Sequence, residues 1–240
     1  MLYALLPHGL DSGIVHGWRC TKGLVPGSRH LIAAGIHAGF HSIRLITELI
    51  LHRRALIRDY KKLDSNLIEV DSHLDKQWFA LPFGDLFVWP YGAHLPTASF
   101  QGRTRGSPRE HALAEIVAAL RGFGYFTRHC IEQLEGSGIP VRRIRFCGGG
   151  SQWKVMPQIL ANATGKIVES LGGYCTAAGA AISASGSSKE VASMSDKFVK
   201  NNKQCYEPSD EQKYNEGYGL WKEVLDIELA RIKKTGTRSR

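Results

Sequence analysis

Three consecutive glycines, Gly148, Gly149 and Gly150, are the residues of this chain whose type and spacing best suit ligand chemistry. They follow four β-branched, aromatic or apolar residues, Val141, Ile144, Phe146 and Cys147, which predict a short buried strand ending in a turn. Backbone without Cβ atoms can take positive φ angles and approach a ligand closely. A helix starting directly after the turn would point unpaired N–H groups and its positive dipole end outward. The pattern therefore predicts a phosphate or nucleotide cradle.

The same glycines also fit a tight strand-to-helix turn that needs glycine only for its geometry. No Gly-Lys-Ser/Thr follows them, so the Walker pattern is absent, and their spacing is not the GxGxxG of a dinucleotide site. Pro157 is tolerated only within the first turn of a helix, so the helix after the glycines cannot begin much before Val155. Both interpretations thus place a helix start shortly after the glycines.

The longer stretch GGGSQWKVMPQILANATGKIV, residues 148–168, resembles the second glycine-rich, adenosine-binding segment of the FGGY carbohydrate kinases. That family continues into a short strand and an alanine-glycine helix, which residues 166–168 and 176–182 resemble. The resemblance covers about residues 24 to 230 and implies ATP, with Mg²⁺, as the ligand. It places six residues at the nucleotide: Gly39, Gly148, Gly149, Gly150, Ser151 and Trp153. Trp153 stands where relatives often have Asn or Ser, and its indole would either stack on adenine or block it.

The resemblance implies an α/β fold of the actin-like ATPase or ribonuclease H-like type, namely the second domain of a sugar kinase. We divide the chain into an unassigned segment (residues 1–23), the kinase carboxy-terminal domain (24–233) and a basic tail (234–240). Helices near residues 28–52, 107–135 and 209–233 are expected to cover the sheet. If the domain is incomplete, an open sheet edge or uncovered apolar face would favour a homo-oligomer.

Local patterns predict several further elements. Apolar residues recur at helical spacing from Ser28 to Arg53, and Ser107-Pro-Arg-Glu110 forms a capping box with proline at the first helical position. Leu67 to Val70 and Phe87 to Trp89 are predicted strands. Residues 90–96, where the family has a Gly-Glu-Arg-Thr-Pro-like motif, and the SGSSKE stretch at 185–190 are predicted loops.

A sugar kinase needs a carboxylate that deprotonates the sugar hydroxyl. The family's catalytic aspartate, sugar pocket and first phosphate loop belong to sequence that should precede this chain. Asp11, in a Gly-Leu-Asp-Ser-Gly segment that loosely resembles the surroundings of that aspartate, is the candidate, and a surface-turn aspartate is the alternative. His37 and His41 lie one helical turn apart, but they have no adjacent glutamate and no obvious third ligand, so no metal site is predicted.

Two functions follow from the resemblance. The chain is either the ATP-binding half of a carbohydrate kinase, inactive alone, or a noncatalytic nucleotide-sensing or partner-binding protein with a kinase-derived fold. Tyr125 and residues 127–129, Thr-Arg-His, resemble the pentulokinase (D-ribulokinase-like) branch, which implies a five-carbon keto sugar such as D-ribulose. Val117 and Arg121 stand where other branches have Arg and Glu.

Composition sets limits on partners and compartment. The formal net charge of +9 suits an acidic partner such as ATP, a membrane surface or nucleic acid. Nucleic acid has only this charge and Arg142, Arg143 and Arg145 to support it, without a recognisable binding motif. The five cysteines include no CxxC pair, which argues against a disulfide framework or zinc site and for a reducing, cytoplasmic environment. No apolar run is long enough to span a membrane.

Overall fold

The structure, a computed structural model, describes residues 60–81, 107–172, 174–184 and 186–236 together with short strands in the first part of the chain. The strands are β1 (Leu2–Leu5), β2 (Arg19–Thr21), β3 (Leu31–Ala34), β4 (Phe79–Ala80), β5 (Leu86–Val88), β6 (Ala93–Leu95), β7 (Phe100–Gln101), β8 (Arg143–Phe146), β9 (Ile167–Ser170) and β10 (Gln204–Tyr206). The helices are α1 (Tyr60–His73), α2 (Pro108–Gly136), α3 (Val155–Thr164), α4 (Cys175–Ala184), α5 (Ser188–Asn202) and α6 (Glu211–Gly236). A 3₁₀ turn spans Gly149–Gln152.

Helix α2 is the central element of the core. It begins where the sequence predicts, because the Ser107 N–H donates to Glu110 Oε2 at 2.6 Å and proline occupies the first turn. One face of α2 is fully buried among residues of α1, α3 and α6. It also passes so close to β4 that a Cβ on Gly122 would lie 2.1 Å from the carbonyl oxygen of Ala80. The packing of α2 on β4 therefore requires glycine at this position.

Strands β8 and β9 pair in parallel, and β10 joins the other side of β9 in antiparallel orientation. The register sets Arg143 opposite Ile167 and Phe146 opposite Ser170. These strands confirm that residues 141–147 and 166–168 contain strands, but β8 is not the buried strand predicted, because Arg143 and Arg145 are exposed and the residues between and after them are only half-buried. Because the carboxyl ends of parallel strands meet at one edge of a sheet, the glycines after β8 lie beside the chain that leaves β9.

Two predicted elements in the first part of the chain are wrong. Leu31–Ala34 forms a strand rather than the first turns of a helix, and it pairs in antiparallel orientation with both β1 and β2. The rest of the predicted 28–52 helix, which includes His37, Gly39 and His41, lies outside the described residues, as does Asp11. The predicted strand from Leu67 to Val70 is part of α1, whose Leu67 is fully buried in the core. Periodicity over four residues, three of them apolar, could not distinguish a strand from a buried helical turn.

Two predicted loops are shorter than expected. Phe87 and Val88 belong to β5 as predicted, but Ala93–Leu95 then forms β6 and closes an antiparallel pair with it. Within SGSSKE the helix α5 already starts at Ser188, because Ser187 and Glu190 form a second capping box. The Ser187 N–H donates to Glu190 Oε2 at 2.7 Å. The capping-box pattern was thus present in the sequence and was missed.

Helices α6 and α4 differ in how deeply they are buried. Helix α6 extends from Glu211 to Gly236, so it confirms the predicted 209–233 helix and continues into the segment assigned as a basic tail. Helix α4 contains only small and apolar residues apart from its hydroxyl groups, yet none of its ten residues is buried. Its small apolar residues are therefore half-buried or exposed. Among the described residues, no helix is long and apolar enough to cross a membrane.

Candidate functional site at the glycine loop

The glycine loop, residues 148–152, follows β8 directly. Gly148 has φ 95° and ψ −170°, a backbone conformation that is essentially restricted to glycine. Ser151 fixes the loop from within, because its N–H donates to the Gly148 carbonyl oxygen at 3.1 Å and its hydroxyl donates to the same oxygen at 2.7 Å. Ser170 in β9 donates its hydroxyl to the Ser151 carbonyl oxygen at 3.0 Å. The loop is thus a defined turn fastened to the neighbouring strand.

One side of the loop is open. Among the described residues, no heavy atom lies within 4 Å of a Cβ atom built on Gly148 or Gly149, whereas Gly150 and Ser151 are buried. A ligand can therefore reach the backbone of Gly148 and Gly149 without meeting a side chain. The other predicted loop residues shape the turn and face inward.

The helix start after the loop is not a free anion site. Helix α3 begins at Val155, as Pro157 predicts, but the Asp64 carboxylate accepts hydrogen bonds from the N–H groups of Lys154, at 2.8 Å, and Val155, at 2.9 Å. Asp64 lies in α1 and is 7 % exposed. A buried carboxylate thus already caps the positive end of α3 and would repel a phosphate there. The expectation that this helix start presents unpaired N–H groups is wrong.

No sequence pattern indicated the role of Asp64. It lies 90 residues before Lys154 in the sequence, in a different helix. Only the packing of α1 against α3 brings the two together. The contact shows that the loop, and not the helix dipole, is the part of this motif open to a ligand.

Trp153 packs inward. Its side chain is 9 % exposed and belongs to the hydrophobic core. Burial favours a packing role for the indole over stacking on a ligand, since the ring surface is covered by neighbouring side chains. Its part in nucleotide binding stays a prediction.

The Thr127-Arg128-His129 motif fastens α2 to α6. The Arg128 guanidinium carbon lies 4.2 Å from the ring centroid of Tyr218, and Arg128 donates to Asn215 Oδ1 at 2.6 Å. His129 Nδ1 lies 3.3 Å from the hydroxyl oxygen of Tyr218. These contacts are helix packing, so the motif carries a resemblance without itself forming a sugar site in the described structure.

Arg121 is also structural. Its guanidinium, 1 % exposed, bonds the Asp71 carboxylate at 2.8 Å and reaches the carbonyl oxygens at the end of α1. Those acceptors are Asp71, Leu74, Asp75 and Trp78. Because the last carbonyl groups of a helix lack partners inside it, Arg121 closes α1 in place of solvent.

Two of the three arginines that suggested nucleic-acid binding form ion pairs with Glu169. Arg143 and Arg145 lie 2.7 and 3.1 Å from its carboxylate oxygens, and Lys203 lies 3.6 Å away. Burial raises the pKa of Glu169, but the hydrogen bonds and charges of these cations outweigh it and leave the pKa below its usual value. The cluster therefore accounts for Arg143 and Arg145 without an external anion.

The described residues do not form a cluster of side chains that could bind a divalent metal ion. Within the described ranges, no three His, Cys, Asp or Glu side chains converge on a point that could hold a metal ion. We therefore derive no Mg²⁺ ligands from these residues.

A comparison with protein families finds a match for the region that contains the glycine loop. Residues 38–187 match the model of the FGGY family of carbohydrate kinases, C-terminal domain. The match contains the glycine loop, helices α1 to α4 and strands β4 to β9. A comparison with curated proteins finds no match.

Solved kinases share the fold. Xylulose kinase from Rhodospirillum rubrum is 18 % identical with a TM-score of 0.67, and 88 % of this chain covers 42 % of it. Plasmodium falciparum glycerol kinase with ADP is 15 % identical with a TM-score of 0.63, for 89 % of this chain and 42 % of that one. Gluconate kinase from Lactobacillus acidophilus is 16 % identical with a TM-score of 0.60, and the similarity covers 91 % of this chain and 44 % of that one. The chain thus has the actin-like fold and spans less than half the length of these kinases.

Proposed function

The chain belongs to the FGGY family of carbohydrate kinases and matches the C-terminal domain of that family. We propose that it provides the ATP-binding half of such a kinase. The observation that carries this proposal is the open backbone of Gly148 and Gly149 at the carboxyl end of β8. Ligands of open α/β sheets bind at this end of the strands. The loop lies inside the matched region and has room for a ligand on one side only.

The adenosine part of ATP, rather than its phosphates, is proposed to lie against the loop. Glycine backbone without Cβ atoms accommodates a flat base or a ribose at close range. The phosphates would point away from α3, because Asp64 already occupies its N-terminal N–H groups and is itself negatively charged.

The proposed reaction is transfer of the ATP γ-phosphate to a sugar hydroxyl. Such a reaction needs a carboxylate to take the hydroxyl proton, worth roughly 10²- to 10⁴-fold in rate, and Asp11 is the proposed candidate in this chain. Mg²⁺, when bound with ATP, neutralises charge on the transferring phosphate. The residues of the glycine loop hold the nucleotide and supply neither the proton acceptor nor the metal ligands.

The proposed sugar is a pentulose such as D-ribulose. The resemblance of Tyr125 and residues 127–129 to the pentulokinase branch supports it, as does the xylulose kinase among the similar structures. Because residues 127–129 serve helix packing, selectivity for the sugar must come from residues elsewhere in the kinase. A homo-oligomer is proposed as well, since α4 leaves apolar surface uncovered.

Titration calorimetry of the 240-residue chain with ATP, with and without Mg²⁺, tests the nucleotide proposal. We expect saturable binding of one ATP per chain, and no heat of binding would contradict it. ADP release with ATP and D-ribulose then distinguishes an enzyme from a noncatalytic binder. We expect binding without appreciable turnover, and sugar-dependent ADP release would show that this chain contains the catalytic residues.

A further inference from the structure

The ends of β8 and β9 bring two cysteines to the edge of the glycine loop. The Leu171 N–H, just past β9, donates to the carbonyl oxygen of Phe146, the last residue of β8, at 2.9 Å. Cys147 directly follows Phe146, and Cys175 begins α4 four residues after Leu171. The backbone hydrogen bond therefore holds together the two segments that carry these cysteines.

The two thiols lie near each other. Cys175 Sγ lies 3.3 Å from the Gly172 carbonyl oxygen and 3.6 Å from the Leu171 carbonyl oxygen, which directs the sulfur back over the end of β9. There it interacts electrostatically with the Cys147 side chain and with the Gly148 N–H. Cys147 is exposed and Cys175 is half-buried, and both are free thiols. The structure thus brings the two thiols to the same edge of the glycine loop.

We propose that Cys147 and Cys175 are a redox modification site, a thiol pair that a peroxide converts into a disulfide across the mouth of the glycine loop. The exposed Cys147 thiolate attacks one oxygen of hydrogen peroxide, the O–O bond breaks, and Cys147 becomes a sulfenic acid as water is released after protonation. The Cys175 sulfur then attacks the Cys147 sulfur, a second water leaves, and the S–S bond forms. Two thiols and one peroxide thus give one disulfide and two waters.

The surroundings decide the order of these steps. Burial, and next the neighbouring Cys147, raise the pKa of Cys175, which makes it the less reactive of the two thiols toward a peroxide. Cys147 is the one of the pair that a peroxide can reach from solvent. Cys147 is therefore the residue that is oxidised first, and Cys175 resolves it.

Other described cysteines serve as comparisons. Cys130 is buried in α2, and burial raises its pKa to about 12, so a peroxide should not oxidise it in the folded protein. Cys205 is exposed like Cys147 but lies in β10 and has no described thiol beside it. A Cys205→Ser variant is thus the matched control for exposure without a partner.

Peptide mapping tests the pair directly. Trypsin separates Cys147, in residues 146–154, from Cys175, in residues 167–189. After the native chain is treated with one equivalent of hydrogen peroxide and free thiols are blocked, we expect these two peptides to be joined, two hydrogen atoms lighter than their sum, and to separate on reduction. Cys205→Ser should give the same product and Cys175→Ser should give Cys147 sulfenic or sulfinic acid instead. Recovery of Cys147 unlinked, or linked only to another cysteine, in the native chain would overturn the proposal.

The consequence for the loop rests on the proposed function. A disulfide at Cys147 fixes the residue that precedes Gly148, so we expect the oxidised chain to bind ATP about tenfold more weakly, about 1.4 kcal/mol, and to recover on reduction. Equal affinity in both states would mean that the disulfide forms without regulating the site. If the reduced chain binds no ATP, the nucleotide proposal fails, while the mass spectra still decide whether the thiol pair exists.

Discussion

At the scale of single residues, Asp64 changes the meaning of the glycine motif. A glycine turn before a helix is usually interpreted as a place for phosphate, because the helix start provides N–H groups and positive charge. Here a carboxylate from α1 takes the N–H groups of Lys154 and Val155. The glycines were recognisable from the sequence, whereas the carboxylate was not, since its contact depends on how α1 packs against α3.

Substitution of Asp64 should destabilise the fold. In Asp64→Ala, two buried N–H groups at the start of α3 lose their acceptor, and we expect the free energy of unfolding to fall by about 1–3 kcal/mol. Urea denaturation followed by circular dichroism measures it. Asp196→Ala, an exposed aspartate in α5, is the control and should change stability by less than about 0.5 kcal/mol. Equal effects of the two substitutions would show that Asp64 is not a cap.

His129 predicts a pH dependence of stability. Burial, opposed by Glu132 and assisted by Lys222, lowers its pKa below the usual value. The unfolded chain takes up a proton at this residue near pH 6.5, and the folded chain resists it until lower pH. The free energy of unfolding should therefore fall as the pH drops from 7.5 to 5.5, and less so in His129→Gln. If the variant loses as much stability over this range as the native chain, His129 does not contribute.

At the scale of elements, helix α2 and its partners show which patterns could be predicted. Its start was encoded locally, in the Ser107 to Glu110 capping box, and the structure places it there. Its function as the support for α1, α6 and β4 was not encoded locally, because Arg121 and Gly122 act on chain segments far away in the sequence. The stretch from Leu67 to Val70 was wrongly predicted as a strand because its place in a buried helix likewise depends on residues far away in the sequence.

Gly122 tests the close approach of α2 to β4. A methyl group at Gly122 would meet the backbone of Ala80, which cannot turn aside like a flexible side chain, so Gly122→Ala should cost about 1–3 kcal/mol of stability. Gly219→Ala, at an exposed helical position in α6 with open space around it, should instead gain about 0.5–1 kcal/mol. Thermal unfolding of both variants checks the difference. A neutral Gly122→Ala would mean that α2 and β4 lie further apart.

At the scale of the whole molecule, the chain corresponds to one part of a larger architecture. It covers less than half of each solved kinase that it resembles, and helix α4 leaves its apolar residues uncovered. The family and the fold could be predicted from residues 148–168 because that motif is continuous in sequence. The sugar pocket could not, since no continuous motif of this chain indicates one, and the candidate carboxylate Asp11 lies outside the described residues.

The most direct test of the central claim is calorimetric titration of the native chain, Gly149→Ala and Gly219→Ala with ATP, adenosine and inorganic tripolyphosphate. We expect ATP and adenosine to bind and tripolyphosphate not to compete with them. Gly149→Ala should weaken the binding of both by about tenfold, or about 1.4 kcal/mol, because its methyl group fills the open side of the loop, and Gly219→Ala should not. Binding of tripolyphosphate but not adenosine, or unchanged affinity in Gly149→Ala, would contradict it.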